Sequence, residues 1–267
     1  MILAIDIGNT NIKIGAFAPQ NPEGFRGTPQ DGEPAFSWRL STSVTRTADE
    51  YGAAFLDILA AKAFKPSDVT GVAVSSVIPG LNYTFEHMCK YYFGVKPLFI
   101  GPGVKTGLKV MYDNPRELGS DRIAVSVAAV RKVGSPCIVL DLGTATTINA
   151  IGAGNAFLGG AIFPGLKSSI DALADTTARL PKIELAKPMS AVGRTTAANM
   201  HSGLYFGFIG MIEYMVAKMK AECKIPDAKV VATGGLFEFL QDGTSCVDEY
   251  DRTLSLRGIY EIYKLNP

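Results

Sequence analysis

Two short stretches of this chain end an apolar run with an aspartate, a glycine and a set of hydroxyl or amide side chains. They are LAIDIGNTNI, with Asp6, Gly8, Asn9 and Thr10, and IVLDLGTATTI, with Asp141, Gly143, Thr144, Thr146 and Thr147. Hydroxyl and amide groups, with the N–H groups of a tight turn, suit phosphate oxygens, and the carboxylate suits a cation travelling with them. One D-x-G turn is ordinary hairpin chemistry. Here Asp6 aligns on Asp141, Gly8 on Gly143 and Asn9 on Thr144, at an offset of 135 in a chain of 267. A strand-turn element repeated at half-length indicates two related lobes, and it lifts the phosphate reading above that of a plain hairpin.

The elements that must carry these residues follow from periodicity. β-branched Ile and Val make each apolar run a buried strand, and the glycine permits the bend into a second one. Residues 2–7 and 13–17 form the first pair, from which Lys13 can reach back to a phosphate, although a strand lysine is ordinarily solvated. After a polar loop from Pro19 to Pro34 come a strand at 35–40, a helix opened by Thr47-Ala-Asp-Glu, a strand at 71–77, a helix at 81–92 and a strand at 97–100. This alternation predicts an α/β lobe with a mixed sheet.

The Gly- and Pro-rich segment 101–122 holds Tyr112, Glu117, Gly119, Ser120, Asp121 and Arg122 just before a helix at 123–132. Loops of that length in compact domains are usually functional. Asp121 reads either as the helix N-cap or as a reactive carboxylate, and capping does not explain the adjacent Arg122 or the upstream Tyr112.

In the second half, the strand at Cys137 and its DLGTATT turn precede a strand at 156–165 and a helix capped by Ser168 that ends at Leu180-Pro181. Gly160 and Gly165 have P-loop spacing, but Leu166 stands before Lys167, which excludes a P-loop. Thr195-Thr196 introduces an apolar helix over 197–221 with Gly203 and Gly207 one turn apart, a spacing that permits close helix packing. Its Leu204, Phe208, Ile212 and Met215 exceed what one sheet is expected to cover, which predicts a homodimer. His201 on this helix reads as a packing residue rather than a catalyst. A strand at 229–232 running into Thr233-Gly234-Gly235 could cover an adenine face, and a closing helix at 254–263 contains Arg257-Gly258.

With 47% hydrophobic and 19% charged residues the chain is globular, and a net charge of +1 gives no electrostatic case for nucleic acid or an anionic membrane. Four scattered cysteines without C-x-x-C spacing argue against a disulfide framework or zinc site. MILAIDIGN lacks the features of a signal peptide, and the longest apolar run, 204–212, is too short to span a bilayer. The expectation is a cytoplasmic protein acting on small molecules.

DIGNTNIK at 6–13, TADE at 47–50, SSVIP at 75–79, GPGVKTGL at 101–108, GSDR at 119–122, DLGTATT at 141–147, GGAIFPGL at 159–166, GRTTAANMHSG at 193–203 and ATGGL at 232–236 occur in that order. In this set the chain closely resembles type III pantothenate kinases, of the acetate and sugar kinase, Hsp70 and actin superfamily. The resemblance implies an α/β fold of two duplicated RNase H-like lobes, each a mixed sheet with helices, here 1–122 and 123–267. It implies ATP in the cleft and transfer of its γ-phosphoryl group to the primary hydroxyl of pantothenate, the first step of coenzyme A synthesis.

Carried over, ATP phosphates lie on Asp6, Ile7, Gly8, Asn9, Thr10, Asn11, Ile12, Lys13 and Thr144, and Asp141 helps hold a monovalent cation, K+ or NH4+. Pantothenate meets Tyr112, Gly119, Ser120, Asp121, Arg122 and Thr196, with Asp121 as proton acceptor. Mg2+ is expected with ATP, needing only one or two protein carboxylates. The chain departs from the family in having Ser120 where Ala is commoner, Thr195 where Asn is commoner, and a longer Pro19 to Pro34 loop. Two other readings stand beside this one. A sugar or small-alcohol kinase of the same superfamily should lack the GSDR and GRTT segments, and a non-catalytic accessory regulator could dispense with Asp121 and Asp141.

Overall fold

The computed structural model describes residues 1–18 and 32–267, so nearly all of the Pro19 to Pro34 loop lies outside the described residues. In chain order the elements are β1 (Ile2–Ile7), β2 (Asn11–Phe17), β3 (Phe36–Ser41), α1 (Ala48–Ala61), β4 (Gly71–Ser76), α2 (Pro79–Met88) and β5 (Leu98–Phe99). There follow β6 (Lys109–Val110), α3 (Ser120–Val133), β7 (Cys137–Leu142), β8 (Ala145–Gly152), β9 (Ala156–Pro164) and α4 (Leu166–Thr176). Last come α5 (Thr196–Glu222), β10 (Lys229–Thr233), α6 (Phe237–Leu240), β11 (Glu249–Tyr250) and α7 (Leu254–Lys264).

Two mixed sheets share one topology. The first has the order β3-β2-β1-β4-β5, the second β9-β8-β7-β10-β11 with β6 added beside β9. In each, the central strand pairs antiparallel with the strand after its hairpin and parallel with the strand beyond the crossover. The duplication read from the two Asp-Gly turns therefore extends to whole sheets.

The two compact units are Met1–Leu108 with Asn114–Ala128 and Thr253–Pro267, and Lys109–Asp113 with Ala129–Arg252. A single division at residue 122, as the sequence suggested, misses two exchanges. Helix α7 packs on β1, β2 and β4 of the first unit, and β6 pairs with β9 of the second. Both exchanges satisfy apolar faces and strand edges that sequence distance does not reveal.

In the first unit the sheet is covered on both faces. Leu3, Ile5 and Ile7 of β1 face Tyr51, Phe55 and Leu59 of α1 and Leu81, Phe85 and Met88 of α2. Thr47 caps α1 with a complete capping box to Glu50, as the Thr-Ala-Asp-Glu sequence predicts. On the other face Ala4 and Ala73 lie under Ala124 and Val127 of α3 and Leu256, Ile259 and Ile262 of α7. Ala4 is in register with Gly15 on one side and Ala73 on the other, a row of small residues that lets these helices come close.

Gly258, inside α7 against helix propensity, is where α7 meets α3, since a Cβ there would overlap the Ala124 carbonyl. In the second unit the even-numbered residues of β7, Ile138, Leu140 and Leu142, pack with Ile170 of α4 and with Leu204, Phe208 and Ile212 of α5.

Three local expectations are corrected. Helix α3 begins at Ser120 rather than 123, so Asp121 sits in its first turn and is not its cap. Helix α4 is capped at Gly165 and ends at Thr176, so Ser168 is inside it rather than at its start. Leu204, Phe208 and Ile212 are covered by their own unit, so they are not the surplus apolar surface expected of a dimer face. The solvent side of α5 instead shows Phe206 and Tyr214 beside Gly203, Gly207 and Gly210, none of which has an atom within 4 Å of where a Cβ would stand. All four cysteines are free, and burial pushes the Cys89 and Cys137 thiols up to about 12, which makes them inert packing groups.

Substitution Gly258→Ala should destabilise the first unit by about 1–3 kcal/mol through overpacking at the α3–α7 crossing. Denaturant unfolding monitored by circular dichroism measures it, and an unchanged midpoint would contradict the close approach.

Candidate active site

In the first unit, the row after Gly15–Ala4–Ala73 is polar: Lys13, Asp6 and Ser75 lie in register across β2, β1 and β4, with Arg39 of β3 beyond Lys13. Strand alternation puts this row on the face covered by α3 and α7. Asp6 is 8% exposed, and Lys13 Nζ lies 3.8 Å from its Oδ2. The hairpin turn is closed by Gly8 N–H donating to the Asn11 carbonyl at 3.1 Å, and a Cβ on Gly8 would crowd that same oxygen at 3.1 Å. Asn9 and Thr10 are exposed at its tip. Ile7 and Ile12 are fully buried in the core, so only their main chain is available to a nucleotide.

The first turn of α3 is fastened to this row by hydroxyls. The Ser120 hydroxyl lies 2.9 Å from that of Ser75, accepts from Ser76 N–H at 3.1 Å and donates to the Ser76 carbonyl at 3.2 Å. Ser120, expected to touch substrate, is thus occupied in docking the helix. The Asp121 Oδ1 accepts from Arg122 N–H at 2.8 Å, and a Cβ on Gly119 would push that carboxylate oxygen out of its present position. Burial pushes the Asp121 carboxyl above the usual range and the charge of Asp6 adds to the shift, against a downward pull from the Arg122 amide and guanidinium. Arg122 itself is buried, and its carbonyl accepts from Ser126 Oγ at 2.7 Å. The structure therefore brings Asp6, Lys13, the Gly8–Asn11 turn and Gly119–Arg122 into one unit.

The second unit repeats the plan with different chemistry. Asp141 has Thr147 and Thr233 in register on either side, and Ile162 beyond Thr147. Asp6 is paired with Lys13 and Asp141 with Thr147, so the second hairpin is one residue shorter and puts a neutral hydroxyl where the first has a lysine. Thr144 is exposed at its tip. Thr146 faces the other way, fully buried opposite Leu142 and Phe163, and its hydroxyl has no hydrogen-bond partner among the described residues.

The Gly234 turn, at φ +92°, lies against the end of β7, where a Cβ would come within 2.6 Å of the Leu142 carbonyl carbon. The Tyr250 hydroxyl lies 3.2 Å from the Gly234 carbonyl and 3.1 Å from Glu238 Oε1. Burial first, then Glu238, raise its pKa to about 12. Tyr250 had no sequence signal, because its role depends on the parallel β10–β11 pairing. Tyr112 sets its ring edge-on to Phe157 at 5.6 Å. Thr196 opens α5 beside a groove of about 430 Å³ lined with Leu173, Leu180, Asn199, Met200, Gly203 and Leu204.

A sheet order that recurs in two units, each with an aspartate-bearing hairpin on its central strand, is the two-lobed fold that actin-like ATPases and sugar kinases also have. The sequence matches the type III pantothenate kinase family over residues 2–218, and the chain belongs to that family.

Among solved structures it resembles a candidate Baf family transcriptional activator from Campylobacter jejuni, with 22% identity, coverage of 99% of this chain and 98% of that one, and a TM-score of 0.60. It also resembles a candidate 2-dehydro-3-deoxygalactonokinase from Sinorhizobium meliloti, with 13% identity, coverage of 100% and 97%, and a TM-score of 0.60. At these identities the likenesses concern the fold. The family is one of ATP-dependent kinases, which take ATP with a divalent metal. No helix of the described residues is long and apolar enough to cross a membrane.

The raised Asp121 pKa carries a stability consequence. The ionised form is penalised in the folded state above the folded pKa, and the penalty is relieved as pH falls through it. Asp121→Asn should therefore match or exceed the wild-type melting temperature at neutral pH, with the advantage shrinking as pH drops through the raised carboxyl range. Melting curves across that window measure it, and a lower melting temperature at neutral pH would contradict the burial penalty.

Proposed function

We propose that this protein is a cytoplasmic, homodimeric pantothenate kinase that phosphorylates pantothenate to 4'-phosphopantothenate, with Asp121 as general base. The observation that carries the reading is the hydroxyl linkage from Ser75, in register with Asp6, through Ser120 to Asp121. It fixes a half-buried carboxyl of raised pKa within reach of the charge of Asp6, in the same unit as the turn whose donors suit phosphate. Phosphoryl transfer passes through a loose transition state, so the protein's work is positioning, charge neutralisation and acceptance of one proton.

The Gly8–Asn11 turn and Lys13 hold ATP phosphates, with Thr144 in the second unit doing the same. Tyr112, Gly119, Arg122 and Thr196 bind pantothenate, whose carboxylate and amide carbonyls suit a guanidinium fork. Asp121 accepts the proton of the primary hydroxyl as its oxygen attacks the γ-phosphorus, and ADP leaves. A carboxylate whose pKa is raised by burial is a better proton acceptor than an ordinary one.

Two ions fit the residues present. Asp6, an almost buried carboxylate with neutral Ser75 on one side, would hold the divalent metal that neutralises phosphate charge when bound. Asp141 with the Thr147 and Thr233 hydroxyls in register offers the all-oxygen donor set of a monovalent cation, K+ or NH4+. The accessory-regulator reading is favoured only by the name of the Campylobacter jejuni relative, and this chain retains both Asp121 and Asp141.

A coupled assay for ADP release separates these readings. Turnover is expected with pantothenate and not with glycerol or hexoses, and should fall sharply when Na+ replaces K+ at constant Mg2+. Asp121→Asn should lose at least about a hundredfold in kcat. ADP release with a hexose alone would favour a sugar kinase, and none with any acceptor would favour the regulator.

The exposed glycine and aromatic face of α5 is proposed as the dimer contact. Light scattering should give twice the chain mass at micromolar concentration, and Gly207→Glu should give the monomer. A monomeric wild type would remove the dimer from the proposal.

A further inference from the structure

Both hairpin turns are held from behind by the residue that follows the third strand of their own sheet. In the first unit Thr42, immediately after β3, donates its hydroxyl to the Gly8 carbonyl at 2.6 Å and its N–H to the Thr10 carbonyl at 3.1 Å. In the second, Gly165, immediately after β9, donates its N–H to the Thr144 carbonyl at 3.1 Å, and the Ser168 hydroxyl donates to the same oxygen at 2.9 Å. Gly165 has to be glycine for this, because a Cβ would overlap the Thr144 and Gly143 carbonyls. The main-chain bond recurs in two hairpins that differ in length and sequence, from the residue after the third strand to the carbonyl of the residue before the second, and a hydroxyl adds to it on Gly8 in one and on Thr144 in the other.

A planar trans peptide points its carbonyl and its N–H in opposite directions. Engaging the Gly8 carbonyl with Thr42 therefore aims the Asn9 N–H away from β3, and engaging the Thr144 carbonyl aims the Ala145 N–H away from α4. Each latch also withdraws partially negative carbonyl oxygens from the side on which an anion would approach. A short turn free to flip its peptides would present N–H and carbonyl alternately, and an anion would have to select the first state and give up affinity in proportion.

We propose that Thr42, and Gly165 with Ser168 in the second unit, are positioning residues that hold the two turns with N–H donors toward nucleotide phosphates. The inference rests on the assignment of these turns to ATP. Thr42→Val keeps the shape and the main-chain bond and removes only the hydroxyl donor, while Thr42→Ser keeps the donor.

Titration calorimetry with ADP on the full-length chain, with steady-state kinetics beside it, tests this. Loss of one such bond should weaken ADP binding and raise the KM for ATP at least about fivefold in Thr42→Val. The KM for pantothenate should stay within about twofold, and Thr42→Ser should behave as wild type. Ser168→Ala, on a partly exposed helix position, should shift ADP affinity in the same direction by less, since the Gly165 N–H remains.

A folded Thr42→Val with wild-type ADP affinity, or equal losses for ATP and pantothenate, would overturn the role of Thr42. If Thr42→Val does not fold, the decision passes to Thr42→Ser, whose failure to retain wild-type ADP affinity would also overturn it. A folded Ser168→Ala with unaltered affinity would overturn the second latch. A wild-type chain that binds no ADP would instead remove the nucleotide reading, and the latch role with it.

Discussion

A carboxyl buried beside a second carboxylate is unfavourable, and the first unit is built around holding one there. Asp121 stands in the first turn of a helix whose N-terminal dipole favours its charge, with the Arg122 amide on its oxygen and Asp6 close enough to raise its pKa. The hydroxyls of Ser75 and Ser120 prevent the helix end from moving away to relieve that repulsion. The small-residue row Gly15–Ala4–Ala73 brings α3 and α7 down onto the sheet immediately beside the polar row Lys13–Asp6–Ser75. Packing density at the small row thus fixes the chemistry two residues further along the same strands. Gly119 leaves room for the Asp121 oxygen in this orientation.

The duplicated sheets have diverged where the chemistry differs and kept their form where the geometry is shared. Opposite Asp6 stands Lys13, opposite Asp141 stands Thr147. A lysine can neutralise its aspartate and still reach an anion, whereas a hydroxyl contributes only an oxygen donor, so a carboxylate in that setting suits a mobile cation. The shorter second hairpin accompanies this change, and both turns nevertheless keep the donor from the end of the third strand. Glycine appears where one backbone must touch another: Gly165 against Thr144, Gly234 against Leu142 and Gly258 against Ala124.

The strongest local signals in the sequence were correct because they are short-range. The Asp-Gly hairpins, the capping box at Thr47 and the apolar strands depend on residues a few positions apart, and the order of motifs was enough to indicate the family. The second strand of the repeat was not legible in the same way. An offset of 135 aligns Asp6 with Asp141, but beyond the turn the one-residue difference in hairpin length makes Thr147 the counterpart of Lys13, where the offset would give Ile148. Thr146, grouped with the phosphate side chains by composition, is turned into the core by strand alternation counted from that register.

What the sequence determined by itself is the set of chemical groups: two aspartate-bearing turns, an aspartate–arginine pair at the start of a helix, and apolar runs able to bury them. Tertiary structure decided which groups act together. The C-terminal helix crosses back to the first unit because its apolar face with Gly258 fits Ala124 and the small row on β1, β2 and β4. Leu204, Phe208 and Ile212 turn inward because their own sheet has an apolar face to cover. Ser120 and Thr42 acquire their partners only when strands distant in sequence lie side by side. A hydrogen bond of about 3 Å tolerates little error in placement, and that placement is set by long-range packing, which no local pattern of residues encodes.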